Sequence, residues 1–456
     1  MHQLPVFVFH LLLALTVVKL AVADVTPEQA NRLGGAELTP LGAERRGNAD
    51  GTIPVWDGGI TEPPPGYQPG SHQVDPYPDD TVLFSISAEN LQSHADKLSE
   101  GQQAMLRTYP QTWRMDIYPT RRSASYPEWV YAAVKSNAST AQLVTEGKGG
   151  VDGANVSSPF PIPANGLEVV WNHNLRWRGI RVKRTFGQAA VTRKGRYTVS
   201  LALQDEVFPY GARPGDPLRV DFPNILLALK SKFIQPGLIA GEGILVIDPI
   251  DQTRDPRKSW SYDRALRRVL RAPYIGNDYP ALRTDNLRTV DEFDMYNGSP
   301  GRFEWKLLDK RELYIPYNAY RLHSKALDYG DILQQHHINP AVARYELHRV
   351  WVVEGTLRPG MQHVYSRRVF YIDEDSWQIA VADNYDQDGK LWRTAEAHAL
   401  NYYQVPVHWS TLEVYNDLQT QRYLASGLDN RRNPYRFFDT ADPREFSPNA
   451  LNYYIR

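Results

Sequence analysis

The chain has 456 residues, 42% of them hydrophobic and 23% charged, which is enough apolar material for one large core or two ordinary ones. Lys and Arg total 51 against 52 Asp and Glu, so no strong field favours nucleic acid or an anionic membrane surface as partner. Cysteine is absent, which excludes disulfides, thiolate metal sites, a cysteine nucleophile and lipid attachment through cysteine.

The apolar run from Val6 to Leu20, broken by His10, Thr16 and Lys19, is followed by Ala21-Val22-Ala23. This is the pattern of an export signal with a small-residue cleavage site. Residues 1–23 are therefore expected to be removed, and the mature protein to be soluble outside the cytoplasm, beginning at Asp24. The run is short for a membrane anchor.

Thr26-Pro27-Glu28-Gln29 has the form of a helix capping box. From 50 to 80 the chain is rich in Pro and Gly and reads as an extended arm laid over a surface. The spacing of Leu91, Ala95, Leu98, Met105 and Leu106 predicts a helix over 88–106. A second helix is expected to start at Pro127. These pieces define an N-terminal region, 24–165, of short helices and arms.

Beyond that point the period changes to two. Tyr197, Val199, Leu201 and Leu203 alternate with Thr198, Ser200 and Ala202. Similar runs predict strands over 168–177, 180–186, 243–250, 302–308, 312–317, 345–353, 363–372, 377–385, 391–403 and 410–415. The stretch 222–233 reads as the one strong helix of this half. Many closely spaced strands without alternating helices imply an antiparallel sheet. Such a sheet must curl, close or be covered. The expected fold is mainly β with helices (α+β): residues 166–456 form a large curved antiparallel sheet, covered by helices and the N-terminal arm.

Catalytic signatures are missing. There is no G-x-S-x-G, phosphate-binding loop, dinucleotide fingerprint or H-E-x-x-H. Asn384-x-Asp386-x-Asp388-Gly389 begins like a calcium loop, but Ala395 stands at the twelfth position where a Glu is needed, so a hairpin turn is expected. His336-His337 lacks ligand spacing. Glu346 and His348 share a strand face and could form a buried carboxylate–histidine pair. Asp373-Glu374-Asp375 reads as a solvated turn between two strands. Arg254, Arg257, Lys258, Arg264, Arg267, Arg268 and Arg271 make 254–271 locally basic, read as a solvated face before an anion or partner site. No catalytic residue, metal ligand or cofactor is assigned.

Several longer stretches carry a family resemblance: Leu38–Glu44, Gly47–Pro54, Tyr118–Ala124, Leu266–Val269, Asp291–Gly298 (DEFDMYNG), Glu312–Asn318 and Phe370–Trp377. With them the chain resembles the DUF1329 family of proteobacterial exported proteins, grouped with the LolA/LolB-like outer-membrane lipoprotein carriers. The resemblance implies an incomplete β-barrel of LolA-like type with helices plugging an apolar concavity. It also implies a periplasmic carrier or chaperone for a lipid-like or other hydrophobic molecule, and no enzyme. Implied partners are an RND/MMPL-type exporter and a DUF1302-type outer-membrane protein. The N-terminal region is extra relative to true lipoprotein carriers. Trp171, Trp177, Trp305, Trp351, Phe370, Trp377 and Trp392, on aromatic-rich predicted strands, are the candidate ligand-binding residues. The alternative reading is a periplasmic docking subunit of an envelope transport complex that holds no ligand, and a periplasmic hydrolase is the minor third.

Overall fold

A computed structural model describes residues 25–145, 149–272 and 276–455; the segment 1–23, expected to be an export signal, lies outside the described residues. In chain order, the strands begin with β1 (Phe84–Ile86), β2 (Met115–Ile117) and a small separate ribbon of β3 (Gln142–Leu143) and β4 (Val151–Asp152). Then come β5 (Arg181–Val191), β6 (Ser200–Val207), β7 (Ile225–Gln235), β8 (Gly243–Pro249), β9 (Lys258–Asp263) and β10 (Arg268–Arg271). The second half adds β11 (Phe303–Pro316), β12 (Tyr345–Leu357), β13 (Arg367–Asp373), β14 (Ile379–Tyr385), β15 (Leu391–Tyr402), β16 (Val407–Asp417), β17 (Arg422–Leu428) and β18 (Arg436–Phe438).

Among the described residues, 16 of these strands form one sheet, in the order β1-β2-β12-β13-β14-β15-β16-β17-β5-β6-β7-β8-β9-β10, with β11 on β12 and β18 on β5. The pairing is antiparallel except where β2 meets β12, Ile117 opposite Tyr345. The sheet is mixed and does not close into a barrel. It nevertheless curls, because one apolar cluster joins Leu227 and Leu229 of β7 to Trp305 of β11 and Val353 of β12, far away in strand order. The helix Gly166–Leu175 sits inside that curl. Its Val169, Val170, Trp171 and Leu175 belong to the same cluster, and all its described side chains but Leu167 are buried.

Two elements take the opposite type from the one their sequence patterns suggest. The segment 168–177, expected as a strand, is this central helix. Asn165 caps it by accepting the Glu168 N–H at 3.0 Å, and burial on every side removes the polar face that would have marked a helical period. Conversely, 222–233, expected as a helix, contributes strand β7. One face (Leu227, Leu229, Ser231, Phe233) turns to the concavity, while Ala228 packs outside against Phe446, Leu451 and Ile455 of the C-terminal segment. A strand covered on both faces reads as a continuous apolar run, which periodicity does not separate from a buried helix.

The predicted strands 302–308 and 312–317 are one strand, β11, with an irregularity between Leu307 and Asp309. The helix expected over 88–106 is broken. Short 3-10 turns at Leu91–Ser93 and Ala95–Lys97 precede the α-helix Glu100–Thr108, which is capped by Ser99. The capping box at Thr26 is present, and 54–83 contains neither helix nor strand. That arm is tied to the turn after β15 and to the short helix Tyr320–His323: the Val74 N–H donates to the Tyr403 hydroxyl at 2.7 Å, and His323 Nε2 meets Gln73 Oε1 at 2.8 Å.

Candidate ligand cavity

The curl of the sheet leaves a cavity of about 640 Å³ between β5–β9 and β16–β17, within the range of about 300–1,000 Å³ usual for small-molecule sites. The period of two along β7 and β8 aims Leu227, Leu229, Ser231 and Phe233, then Ile244 and Val246, into it. Phe186, Ala202 and Trp409 complete much of the apolar wall. Gly427, at φ +119°, also lines it; a Cβ there would stand 2.2 Å from the Thr411 carbonyl oxygen, so only glycine lets β17 run this close to β16.

One side of the cavity is covered by irregular chain within 276–297, which contributes Tyr279, Leu282, Arg288, Val290, Phe293 and Asp294. Buried charges fasten this cover to the sheet. Asp291 takes a hydrogen bond from Arg368 Nη1 at 2.8 Å and faces His363 Nε2 at 3.1 Å. Glu292 accepts from the Tyr365 hydroxyl and from Asn384 Nδ2 at 3.1 Å. Asp294 lies between Arg176 Nη2 (2.6 Å) and Arg178, and also accepts from Trp409 Nε1 at 2.9 Å. Burial opposes ionisation of Asp294, but Arg176 and Arg178 win and hold its carboxyl well below the usual range.

Burial, aided by those two guanidiniums, pushes the neighbouring His173 imidazole down to about 3. His173 is therefore neutral at physiological pH: Nδ1 accepts from the Ile379 N–H at 3.1 Å, which leaves Nε2–H to donate to the Asp294 carbonyl at 2.9 Å.

A second buried charged assembly explains why so many of the resembling segments occur together. Asp373-Glu374-Asp375, expected to be solvated, are buried, which corrects the sequence reading. Arg122 donates to both Asp375 oxygens (2.8 and 2.7 Å), Lys310 lies 2.5 Å from Glu374, and Arg349 lies 3.3 Å from Glu374. These cations arrive from the N-terminal segment and from β11 and β12, so the acids find partners without water. Trp377 Nε1 donates to the Leu41 carbonyl at 3.1 Å and fastens the N-terminal segment to the same turn.

The Glu346–His348 pair is also present and buried, at 3.3 Å. His348, Asp373 and Asp375 could each offer one atom within 4.8 Å of the others as metal ligands. Asp375 is already fully engaged by Arg122 in the ion network, and Asp373 Oδ2 accepts from Ser376 Oγ at 2.5 Å within its own turn.

None of the seven aromatics singled out from sequence lines the 640 Å³ cavity. Trp171, Trp177, Trp305, Phe370 and Trp377 are packed in the central cluster, with Trp351 against it. Trp351 stacks on Trp377 with ring centres 6.0 Å apart, and Trp305 on Phe370 at 5.4 Å. Trp392 lies elsewhere, its Nε1 donating to Asp417 at 3.0 Å. Ring size selects for the core as strongly as for a ligand site. The alternation Leu227, Leu229, Ser231, Phe233 was the available signal for the residues that line this cavity. The turn read at Asp388-Gly389 is present, closed by the Asp386 N–H on the Lys390 carbonyl at 2.9 Å.

The sequence model of the family described as "Protein of unknown function (DUF1329)" matches residues 85–452. The chain belongs to the DUF1329 family. It is 44% identical over 431 residues to Uncharacterized protein PA3922 of Pseudomonas aeruginosa, covering 94% of each chain. Among solved structures, a domain provisionally named as outer membrane lipoprotein-sorting, from Vibrio parahaemolyticus, superposes with a TM-score of 0.43 at 15% identity, over 63% of this chain and 98% of that one. A DUF1329 family protein from Desulfovibrio piger gives 0.41 at 14% identity, over 60% and 92%. Membership rests on the sequence matches; these superpositions are too loose to add to it. No helix among the described residues is long and apolar enough to cross a membrane.

Proposed function

We propose that this DUF1329 protein is a periplasmic carrier or chaperone that shelters a hydrophobic or lipid-like molecule, without catalysis. The observation that carries this reading is the 640 Å³ cavity walled by alternate residues of β7 and β8. Apolar ligand surface removed from water there is stabilised by roughly 25 cal/mol per Å². The export signal read from residues 1–23 supports the compartment. Cooperation with an RND/MMPL-type exporter and a DUF1302-type outer-membrane protein belongs to the same proposal and draws on the family resemblance.

The test is to purify the mature chain from a periplasm without detergent, extract it and analyse the extract by lipid mass spectrometry. A stoichiometric hydrophobic compound supports the carrier. Empty protein under several growth conditions contradicts it.

The docking-subunit reading is favoured by one feature, the β9–β10 hairpin at the end of the sheet. Among the described residues, the side chains of Arg267, Arg268 and Arg271 there have no hydrogen-bonding or ion-pair partner, and Leu266, next to Arg267, is exposed. Crosslinks from this hairpin to an envelope protein, with the cavity empty, would favour that reading.

A further inference from the structure

We infer that the cavity selects amphiphiles carrying an anionic head group, and that Arg288 binds that group. The inference rests on the carrier reading above and specifies its cargo. Among the described residues, nine charged side chains line the cavity, and eight are already engaged. Arg184 lies 2.7 Å from Glu206, Arg257 pairs with Asp248, and Glu242 with Arg283. Asp294 is held by Arg176 and Arg178. Both Glu413 oxygens accept hydroxyl hydrogen bonds, from Ser410 at 3.0 Å and Tyr415 at 2.6 Å. Asp263 accepts the Leu266 N–H at 2.8 Å, and Arg264 donates to the Leu238 carbonyl at 2.5 Å.

Arg288 is the exception. Among the described residues its guanidinium makes neither a hydrogen bond nor an ion pair, and its Nε is buried with no acceptor. It is half-buried beside the rings of Phe293 and Tyr415, whose centres lie 6.0 and 5.8 Å from Cζ. Glu413, an acid close enough to feel its charge, spends its oxygens on the two hydroxyls.

A partly desolvated cation without a partner is unfavourable, and the unfavourable term disappears when an anion is brought to it. A guanidinium suits a carboxylate or a phosphate, because its N–H groups match two oxygens at once. The wall beyond it is formed by Leu227, Leu229, Phe233, Ile244 and Val246. Apolar wall and unsatisfied cation thus share one cavity, which is the chemistry of a long-chain acid or alkyl phosphate.

The experiment loads delipidated mature chain with the neutral fluorescent probe N-phenyl-1-naphthylamine at pH 8. The probe is then displaced with palmitate, hexadecyl phosphate or hexadecanol, three head groups on one chain length. At least one of the two anions is expected to displace it at a concentration tenfold or more below that of hexadecanol, and the better anion identifies the head group. Arg288→Gln should bring that anion to the hexadecanol level and leave hexadecanol unchanged, while Arg288→Lys keeps part of the preference. Thermal melts of both variants confirm that they fold. Equal displacement by all three amphiphiles, or an anion preference that survives Arg288→Gln, overturns the role of Arg288 while leaving a carrier of hydrophobic molecules. If neither the probe nor any amphiphile binds, the carrier reading falls and this inference falls with it.

Discussion

Replacing Asp294 by Asn tests whether the cover of the cavity is fastened by buried charge. Asn keeps the shape and one acceptor oxygen but removes the negative charge shared by Arg176 and Arg178, which are both buried. Arg176 would keep the Gln378 side-chain oxygen (2.6 Å) and the His173 carbonyl (2.7 Å), and Arg178 the Asn174 carbonyl (2.9 Å). All three acceptors are neutral. Burial already pushes Arg178 down to about 10 with Asp294 present. Breaking a buried pair on one side costs roughly 3–5 kcal/mol, a large part of a typical total of about 5–15 kcal/mol.

Guanidinium-chloride unfolding at pH 7.5 should therefore show the midpoint of Asp294→Asn falling by the equivalent of at least about 3 kcal/mol. Adding Arg178→Met should return about 1–3 kcal/mol, because the second change removes the cation left unpaired. The Asp294 carboxyl is held below its ordinary value. Its contribution is consequently complete at neutral pH and lost only as the pH falls through the folded-state value, so the variant and the wild type should converge in strong acid. A loss below about 1 kcal/mol, the scale of an exposed pair, would refute the argument.

Glu396 gives the opposite pH dependence. Burial pushes its carboxyl up from 4.5 to about 7, against hydrogen bonds from Gln102 and Tyr345. The folded state thus holds a proton that the unfolded chain releases near 4.5, and stability falls by roughly 3 kcal/mol as the pH rises from about 4.5 through 7. Glu396→Gln should gain on the wild type between pH 5 and pH 8 in urea titrations; parallel curves would contradict this. Gly101→Ala should destabilise by about 1–3 kcal/mol, read as a lower melting temperature, because the new Cβ would stand 2.1 Å from Asp383 Oδ1. Ser231→Phe, aimed into the cavity, should cut N-phenyl-1-naphthylamine binding at least tenfold while the melting temperature holds. Unchanged binding would place the probe elsewhere.

Much of the sheet was legible because β6, β8, β12, β15 and β16 each carry enough residues of strand type to outweigh local ambiguity. Where both sides of an element are covered, the pattern failed. β7 and the helix Gly166–Leu175 exchange their apparent types for that one reason. The site was less legible. Large rings such as Trp171 and Trp377 were natural candidates, yet they fill the centre of the curl, and the cavity is walled by smaller residues. The cover within 276–297 has no regular period, and its attachment depends on Arg176, Arg178, Arg368 and Asn384, distant in sequence. Likewise, the acids at 373–375 looked like a solvated turn because the basic partner Arg122 lies some 250 residues away.

The central claim is that the cavity between β5–β9 and β16–β17 holds a hydrophobic molecule. Native mass spectrometry of the mature chain and of Ser231→Phe, both purified from a periplasm without detergent, tests it most directly. The account predicts a discrete added mass on the wild type, released by organic solvent, and a bare Ser231→Phe chain. The same added mass on both proteins, or none on the wild type, would contradict it.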